Sequence, residues 1–174
     1  MLKILAIVVV VLIVAILIYA ATKPDLFRVQ RSASINAPPE KIFPLVNDLH
    51  RHSAWSPWDK KDPAMKRTYS GAPAGKGAIY EWDGNGDVGQ GRMEVLESSP
   101  SRVAIKLDFI KPFEGHNVAT FTMTPAGGAT AITWAMDGPT PFLGKLIGVF
   151  MNMDKMIGTD FADGLSNLKA VAEK

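Results

Sequence analysis

From Ile4 to Ala21 every residue is apolar or tyrosine, in the run ILAIVVVVLIVAILIYAA. About 18 residues rising 1.5 Å each span roughly 27 Å, close to the hydrocarbon thickness of a bilayer. The run is rich in valine and isoleucine, as buried strands are, but strands do not reach this length. No side of it is polar, which argues against a core helix. Lys3 and Lys23 bracket it, and Tyr19 suits a membrane interface. Residues 1–22 are therefore expected to form an N-terminal transmembrane helix. The alternative is a cleavable signal peptide, whose apolar core usually holds about 7–15 residues. Ala20 and Ala21 offer small residues for a protease, but Ile18-Tyr19-Ala20 is a poor cleavage context. The short basic head at Lys3, opposed by Lys23, Arg28 and Arg31, resembles a signal anchor and implies an extracytoplasmic domain.

Residues 23–26 read as a linker carrying Pro24, and residues 27–174 as one domain. A chain of 174 residues, 47% hydrophobic and 21% charged, can bury a core without a disulfide or metal staple. It has no cysteine, which excludes thiol chemistry and cysteine-ligated zinc. Its 19 basic and 17 acidic residues are interspersed and form no basic stripe for nucleic acid.

Phe27, Val29, Arg31, Ala33 and Ile35 alternate with polar residues, the pattern of a strand. Asn36-Ala37-Pro38-Pro39-Glu40 starts a helix whose apolar side is Ile42, Leu45 and Val46, kept short or kinked by Pro44. Strand-like runs follow at 65–70, 78–83, 91–97, 102–110, 118–124 and 130–137, each ending on turn residues. This spacing indicates an antiparallel meander. Thr140-Pro141 then opens a helical period in which Leu143, Ile147, Phe150, Ile157, Phe161, Leu165, Leu168 and Val171 form one stripe. Gly144, Gly148 and Gly158 weaken it, so a break near Asn152 or Gly158 is expected. The fold class is α+β, with a curved antiparallel sheet closing around a long C-terminal helix.

Those elements carry particular residues: Ile35-Asn36-Ala37-Pro38 with Phe43, Trp55-Ser56-Pro57-Trp58, Gly77-Ala78-Ile79-Tyr80-Glu81-Trp82, Gly91-Arg92-Met93-Glu94-Val95, Asp160-Phe161, and Gly164 to Lys169. In this order they resemble the START-like, or SRPBCC, superfamily and its polyketide cyclase/dehydrase-like bacterial members, over about Phe27 to Lys174. The resemblance implies a Bet v 1-type helix-grip fold with a cavity between sheet and helix. It implies no single function, because carriers, receptors, cyclases and chaperone regulators share this scaffold. It carries no catalytic signature onto this chain.

Motifs of other chemistries read as turns. Gly84-Asn85-Gly86-Asp87-Val88-Gly89 fits a dinucleotide fingerprint, but a strand follows it where a helix is needed. Gly71 to Gly77 is one residue short of a phosphate loop and lacks its Ser/Thr. Asp83, Asn85, Asp87 and Glu94 fit part of a calcium loop, but Val88 stands where glycine is required. His50, His52 and His116 show no complete ligand set and read as surface histidines. No metal or cofactor is therefore expected. Asp59, Glu81 and Glu94 suit acid/base chemistry only where buried.

The informative constellation is apolar. Alternation puts Tyr80 with Trp82, Met93 with Val95, Leu107 with Phe109, Phe121 with Met123, and Trp134 with Met136. Facing the terminal helix, these sides meet Phe150, Met153, Ile157 and Phe161, with Trp55 and Trp58 closing one end. An ordinary filled core is the plain alternative, whereas methionines on these strands and early in the helix suit an adaptable pocket. Together with the implied cavity, they make Trp55, Trp58, Tyr80, Trp82, Met93, Phe109, Phe121, Trp134, Phe150, Met153 and Ile157 the candidate ligand-binding residues. The expected function is a membrane-tethered domain that holds a hydrophobic small molecule or lipid. A polyketide cyclase/dehydratase-like enzyme and a protein-interaction module without a cavity are the alternatives.

Overall fold

The computed structural model describes residues 1–174, the side chain of Met153 excepted. The first helix, α1 (Leu2–Ala21), is free of the rest of the chain over most of its length. Along it only Ala20 is buried and Ile16 half-buried, so it is not a core helix despite its apolar composition. Its 20 residues measure about 30 Å.

The domain begins with β1 (Leu26–Ile35) and α2 (Pro39–Asn47), which buries Ile42 and Val46 one turn apart. A 3₁₀ helix (Leu49–Ala54) and α3 (Pro57–Lys61) lead into β2 (Lys66–Gly71). Then come β3 (Ala78–Asp83), β4 (Gln90–Ser99), β5 (Arg102–Lys111), β6 (Gly115–Ala126) and β7 (Ala129–Pro139). All seven strands form one antiparallel sheet in the order β1-β7-β6-β5-β4-β3-β2. It is an unbroken meander from β2 to β7, closed at one edge by β1.

The chain ends in α4 (Phe142–Phe150) and α5 (Met153–Ala172). The helical break falls at Met151-Asn152, where the Asn152 side chain caps α5 by accepting from the Lys155 N–H at 2.9 Å. This break divides the apolar stripe read from the sequence. Phe161, Leu165 and Leu168 on α5 are buried against the sheet. Leu143 and Phe150 on α4 are exposed and do not reach the core.

Two close approaches position α5. The Arg31 guanidinium on β1 donates to both carboxylate oxygens of Asp154, at 3.1 and 3.0 Å, and to the Asp154 carbonyl at 3.0 Å. Gly158 lies over that guanidinium, and a Cβ there would collide with it. Further along, Gly164 lets the Trp134 ring approach, and Trp134 stacks on Phe161 at 4.0 Å with an interplanar angle of 6°.

β6 starts at Gly115, three residues before the sequence pattern suggests. Glu114-Gly115-His116-Asn117 is polar, but the register Phe109↔Gly115 and Leu107↔Asn117 extends the ladder through it. Asn117 is buried because Gly138 on β7 has no Cβ to occupy its place.

Candidate functional site

The concave face of the sheet and the first half of α5 enclose a cavity of about 180 Å³. Strand alternation and register set its floor. Tyr80 pairs with Met93, Met93 with Leu107, Ala119 with Met136, and Phe121 with Trp134. Gly91 pairs with Trp82 and lets that indole lie across β4, since a Cβ would come within 2.4 Å of the ring. Ile157, Asp160 and Phe161 of α5 and Trp58 of α3 complete the wall. Of the wall residues, Trp58, Val88, Leu107, Phe109, Ile157 and Asp160 keep partial exposure, so the opening runs between α5 and the β3–β5 edge.

Eight candidates from the sequence line this cavity: Trp58, Tyr80, Trp82, Met93, Phe109, Phe121, Trp134 and Ile157. Trp55 does not. It is wholly buried behind the wall, donates from Nε1 to the Leu45 carbonyl at 2.9 Å, and packs edge-on against Phe121 and Trp134. Phe150 does not either, because the break at Asn152 turns α4 away and leaves Phe150 73% exposed. The Met153 side chain lies outside the described residues.

One corner of the apolar cavity is polar. His52, Ser56 and Asp59 line it, and all three are buried. Here the sequence reading of His52 as a surface residue is corrected. The 3₁₀ helix has three residues per turn, so Leu49, His52 and Trp55 fall on one inward face. That spacing is visible in the sequence, but an α-helical or strand period does not reveal it. His50 does face outward, and its ring stacks on Tyr69 at 4.1 Å.

Asp59 sits in the first turn of α3 and is the buried carboxylate among the acids considered; Glu81 is exposed and Glu94 is half-buried beside Arg92. Arg67 on β2 donates to Asp59 Oδ1 from Nε at 2.9 Å and from Nη2 at 2.6 Å. Asp59 Oδ2 stands 3.9 Å from His52 Nδ1, within reach of charge but beyond a hydrogen bond. Burial raises the Asp59 carboxyl pKa, but His52 and the Arg67 guanidinium outweigh it and hold it below the usual carboxylate range. Burial, reinforced by the Asp59 charge, pushes the Tyr80 hydroxyl well above its ordinary value and keeps it a neutral phenol. At the rim, Lys61 Nζ pairs with Asp160 at 2.8 Å.

Three residues that line the cavity each keep a polar atom that is buried without a hydrogen-bond partner in the protein: His52 Nδ1, Ser56 Oγ and Trp134 Nε1. Each unmet group costs about 1–3 kcal/mol. Among the described residues no cluster of three metal-ligating side chains occurs.

Residues 27–173 match the family described as polyketide cyclase / dehydrase and lipid transport. The chain belongs to that family. Its helix-grip fold is shared with solved structures. Protein MLL2253 from Mesorhizobium loti is 19% identical with a TM-score of 0.61, over 83% of this chain and 96% of that one. Ara h 8.0201 is 9% identical with a TM-score of 0.57, over 84% and 97%. The di-domain ARO/CYC StfQ from the steffimycin biosynthetic pathway is 11% identical with a TM-score of 0.62, over 85% of this chain and 51% of that one. At such identities the likeness is one of fold. No curated protein matches the sequence.

Proposed function

We propose that this family member is a membrane-tethered binding domain for a compact hydrophobic molecule that carries one neutral hydroxyl or carbonyl group. The observation that carries this reading is the apolar cavity of about 180 Å³ with His52, Ser56 and Asp59 lining one corner. A dry cavity near 150 Å³ accommodates benzene, so about 180 Å³ suits one or two rings or a short chain. Drug-sized ligands occupy about 300–1,000 Å³, which disfavours a whole two-chain lipid in this cavity. α1 supplies the tether: it is long and apolar enough to cross a bilayer, and its side chains are almost all exposed. Trp58, Tyr80, Trp82, Met93, Phe109, Phe121, Trp134 and Ile157 make the apolar contacts, and the polar group lies toward the corner lined by His52, Ser56 and Asp59.

The test uses the full-length protein in lipid nanodiscs and 2-naphthol as the probe, followed by saturation-transfer NMR. Saturable uptake is expected, and it is expected to vanish in Ala119→Phe, whose added ring fills the cavity from β6. Equal signals from both proteins would reject the reading.

A second reading, an enzyme of the cyclase or dehydratase kind, is favoured by one specific observation. His52 and Asp59 are a buried imidazole and carboxylate that share a cavity wall. The description of the family includes such enzymes. It predicts that the protein accelerates exchange of the α-protons of 2-tetralone with deuterated water, and that His52→Gln abolishes this while 2-naphthol uptake persists. Exchange no faster than in buffer leaves binding as the function.

A further inference from the structure

A second apolar feature lies outside the cavity, at one end of the sheet. The register Leu26↔Pro139 and Phe109↔Gly115 brings the start of β1, the end of β7 and the β5–β6 hairpin to that end. α1 enters the domain there and α4 leaves it. The same end gathers exposed large hydrophobic side chains: Leu26, Phe113 at 68%, Leu143, Phe150, Met151 and Met156. The opposite end is made of the small turn residues Ser99-Pro100-Ser101 and Gly127-Gly128. Exposed apolar residues scattered singly need no explanation, but a cluster confined to one end of a domain marks an interaction surface.

What covers this cluster follows from its attachment to α1. α1 packs against α4, and the burial of Ala20 with half-burial of Ile16, one turn earlier on the same side, places that contact on its last turns. Two further bonds fix α4 to the linker. Lys145 Nζ, itself 9% exposed, donates to Asp25 Oδ1 at 2.5 Å, and the Thr140 N–H donates to the Asp25 carbonyl at 2.7 Å. Lys145 is the one charge in Phe142-Leu143-Gly144-Lys145-Leu146-Ile147-Gly148-Val149-Phe150, and Asp25 neutralises it. When α1 spans a bilayer, its last turns lie at the lipid–water boundary, with Lys23 beyond them. A helix held against those turns is held at the same depth. Apolar outside, it has the character of an interfacial helix. Lys23, Lys111 and Lys155 lie near the cluster and suit lipid phosphates; the acidic residues beside them are Glu114, next to Phe113, and Asp25 and Asp154, which are paired with Lys145 and Arg31.

We infer that this end of the domain is a second membrane contact: α4, the Phe113 hairpin and Leu26 rest in the interface of the bilayer that α1 spans. The inference rests on the tether reading and adds an orientation to it. The domain does not swing freely on its linker. The partly exposed cavity residues Val88, Phe109 and Ile157 lie in the half nearest this contact, so the cavity exchanges its ligand with the lipid phase.

The absence of cysteine makes single labelling sites simple to introduce. Full-length Val10→Cys, Phe113→Cys, Phe150→Cys and Gly127→Cys variants, each carrying an environment-sensitive fluorophore, are reconstituted into phosphatidylcholine/phosphatidylglycerol vesicles with spin-labelled lipids. Position 10 is expected to be quenched by labels at the bilayer centre. Positions 113 and 150 are expected to be quenched by shallow labels at least threefold more than position 127. Quenching at 10 with 113 and 150 no different from 127 overturns the docking while the tether stands; aqueous iodide would then quench both positions, as a free or protein-binding face requires. No quenching at 10 removes the tether, and the docking falls with it.

Discussion

Asp59 illustrates how a single residue serves both the fold and the cavity. Its Oδ1 holds Arg67 and so ties α3 to β2, while Oδ2 remains beside His52 at the cavity wall. Asp59→Asn is expected to destabilise the protein by about 3 kcal/mol, near the low end for breaking a buried pair because Arg67 keeps some contact with water. The pH dependence has a definite sign. The folded-state pKa is depressed, so the contribution is complete above the unfolded value of about 3.9 and is lost as pH falls through the lower folded value. Urea denaturation is therefore expected to show the wild type losing more stability than Asp59→Asn on acidification below about pH 4. An equal loss in both would show that the carboxylate does not contribute in this way. Gly91 is a second sensitive position. Alanine there would push against the Trp82 ring and the Asp108 carbonyl, neither able to yield easily, at a cost of about 1–3 kcal/mol.

At the scale of elements, the start of α5 is held by one cluster. Asn152 caps it, Asp154 accepts from Arg31, and Gly158 leaves space for the guanidinium. Gly158→Ala displaces the flexible end of Arg31 instead of backbone. The loss of a partly exposed ion pair, up to about 1 kcal/mol, is offset by the helix preference of alanine over glycine, also near 1 kcal/mol. Global stability is thus expected to stay nearly constant, whereas amide exchange over residues 153–160 accelerates. A large fall in global stability would show that Gly158 touches more than Arg31. The helical break itself has a structural result. It detaches α4 from the core stripe and leaves its apolar side chains beside α1.

For the whole molecule, one sheet with a helix across its concave face leaves a cavity because the large wall residues stack on each other. Trp134 lies on Phe161 and against Phe121, and Tyr80 lies against Trp82. Filling this space is expected to help stability while ending function. Ala119→Phe, which tests uptake, is expected to leave the unfolding midpoint unchanged or to raise stability by about 0.5–2 kcal/mol. Marked destabilisation would mean that the ring does not enter the cavity, and that the space is less open than its wall residues indicate.

Read alone, the sequence settles the apolar N-terminal helix, the α+β class, all seven strands and the inward side of β3 to β7. These depend on local periods of 2 and 3.6 residues, and on turn residues that the chain carries explicitly. It did not determine which inward residues line the cavity and which lie behind it. Trp55 and Trp58 are three residues apart and chemically alike, yet a bond to the Leu45 carbonyl draws one out of the wall. Nor did it determine the polar corner. His52 enters through a three-residue helical period, and its neighbour Asp59 meets Arg67 across a loop. The position of α4 was likewise decided in three dimensions. Apolar composition favours burial, but whether a face is covered by the sheet, by α1 or by neither depends on where the chain turns at Asn152. Such turns fix long-range distances, and those distances decide what a site can bind.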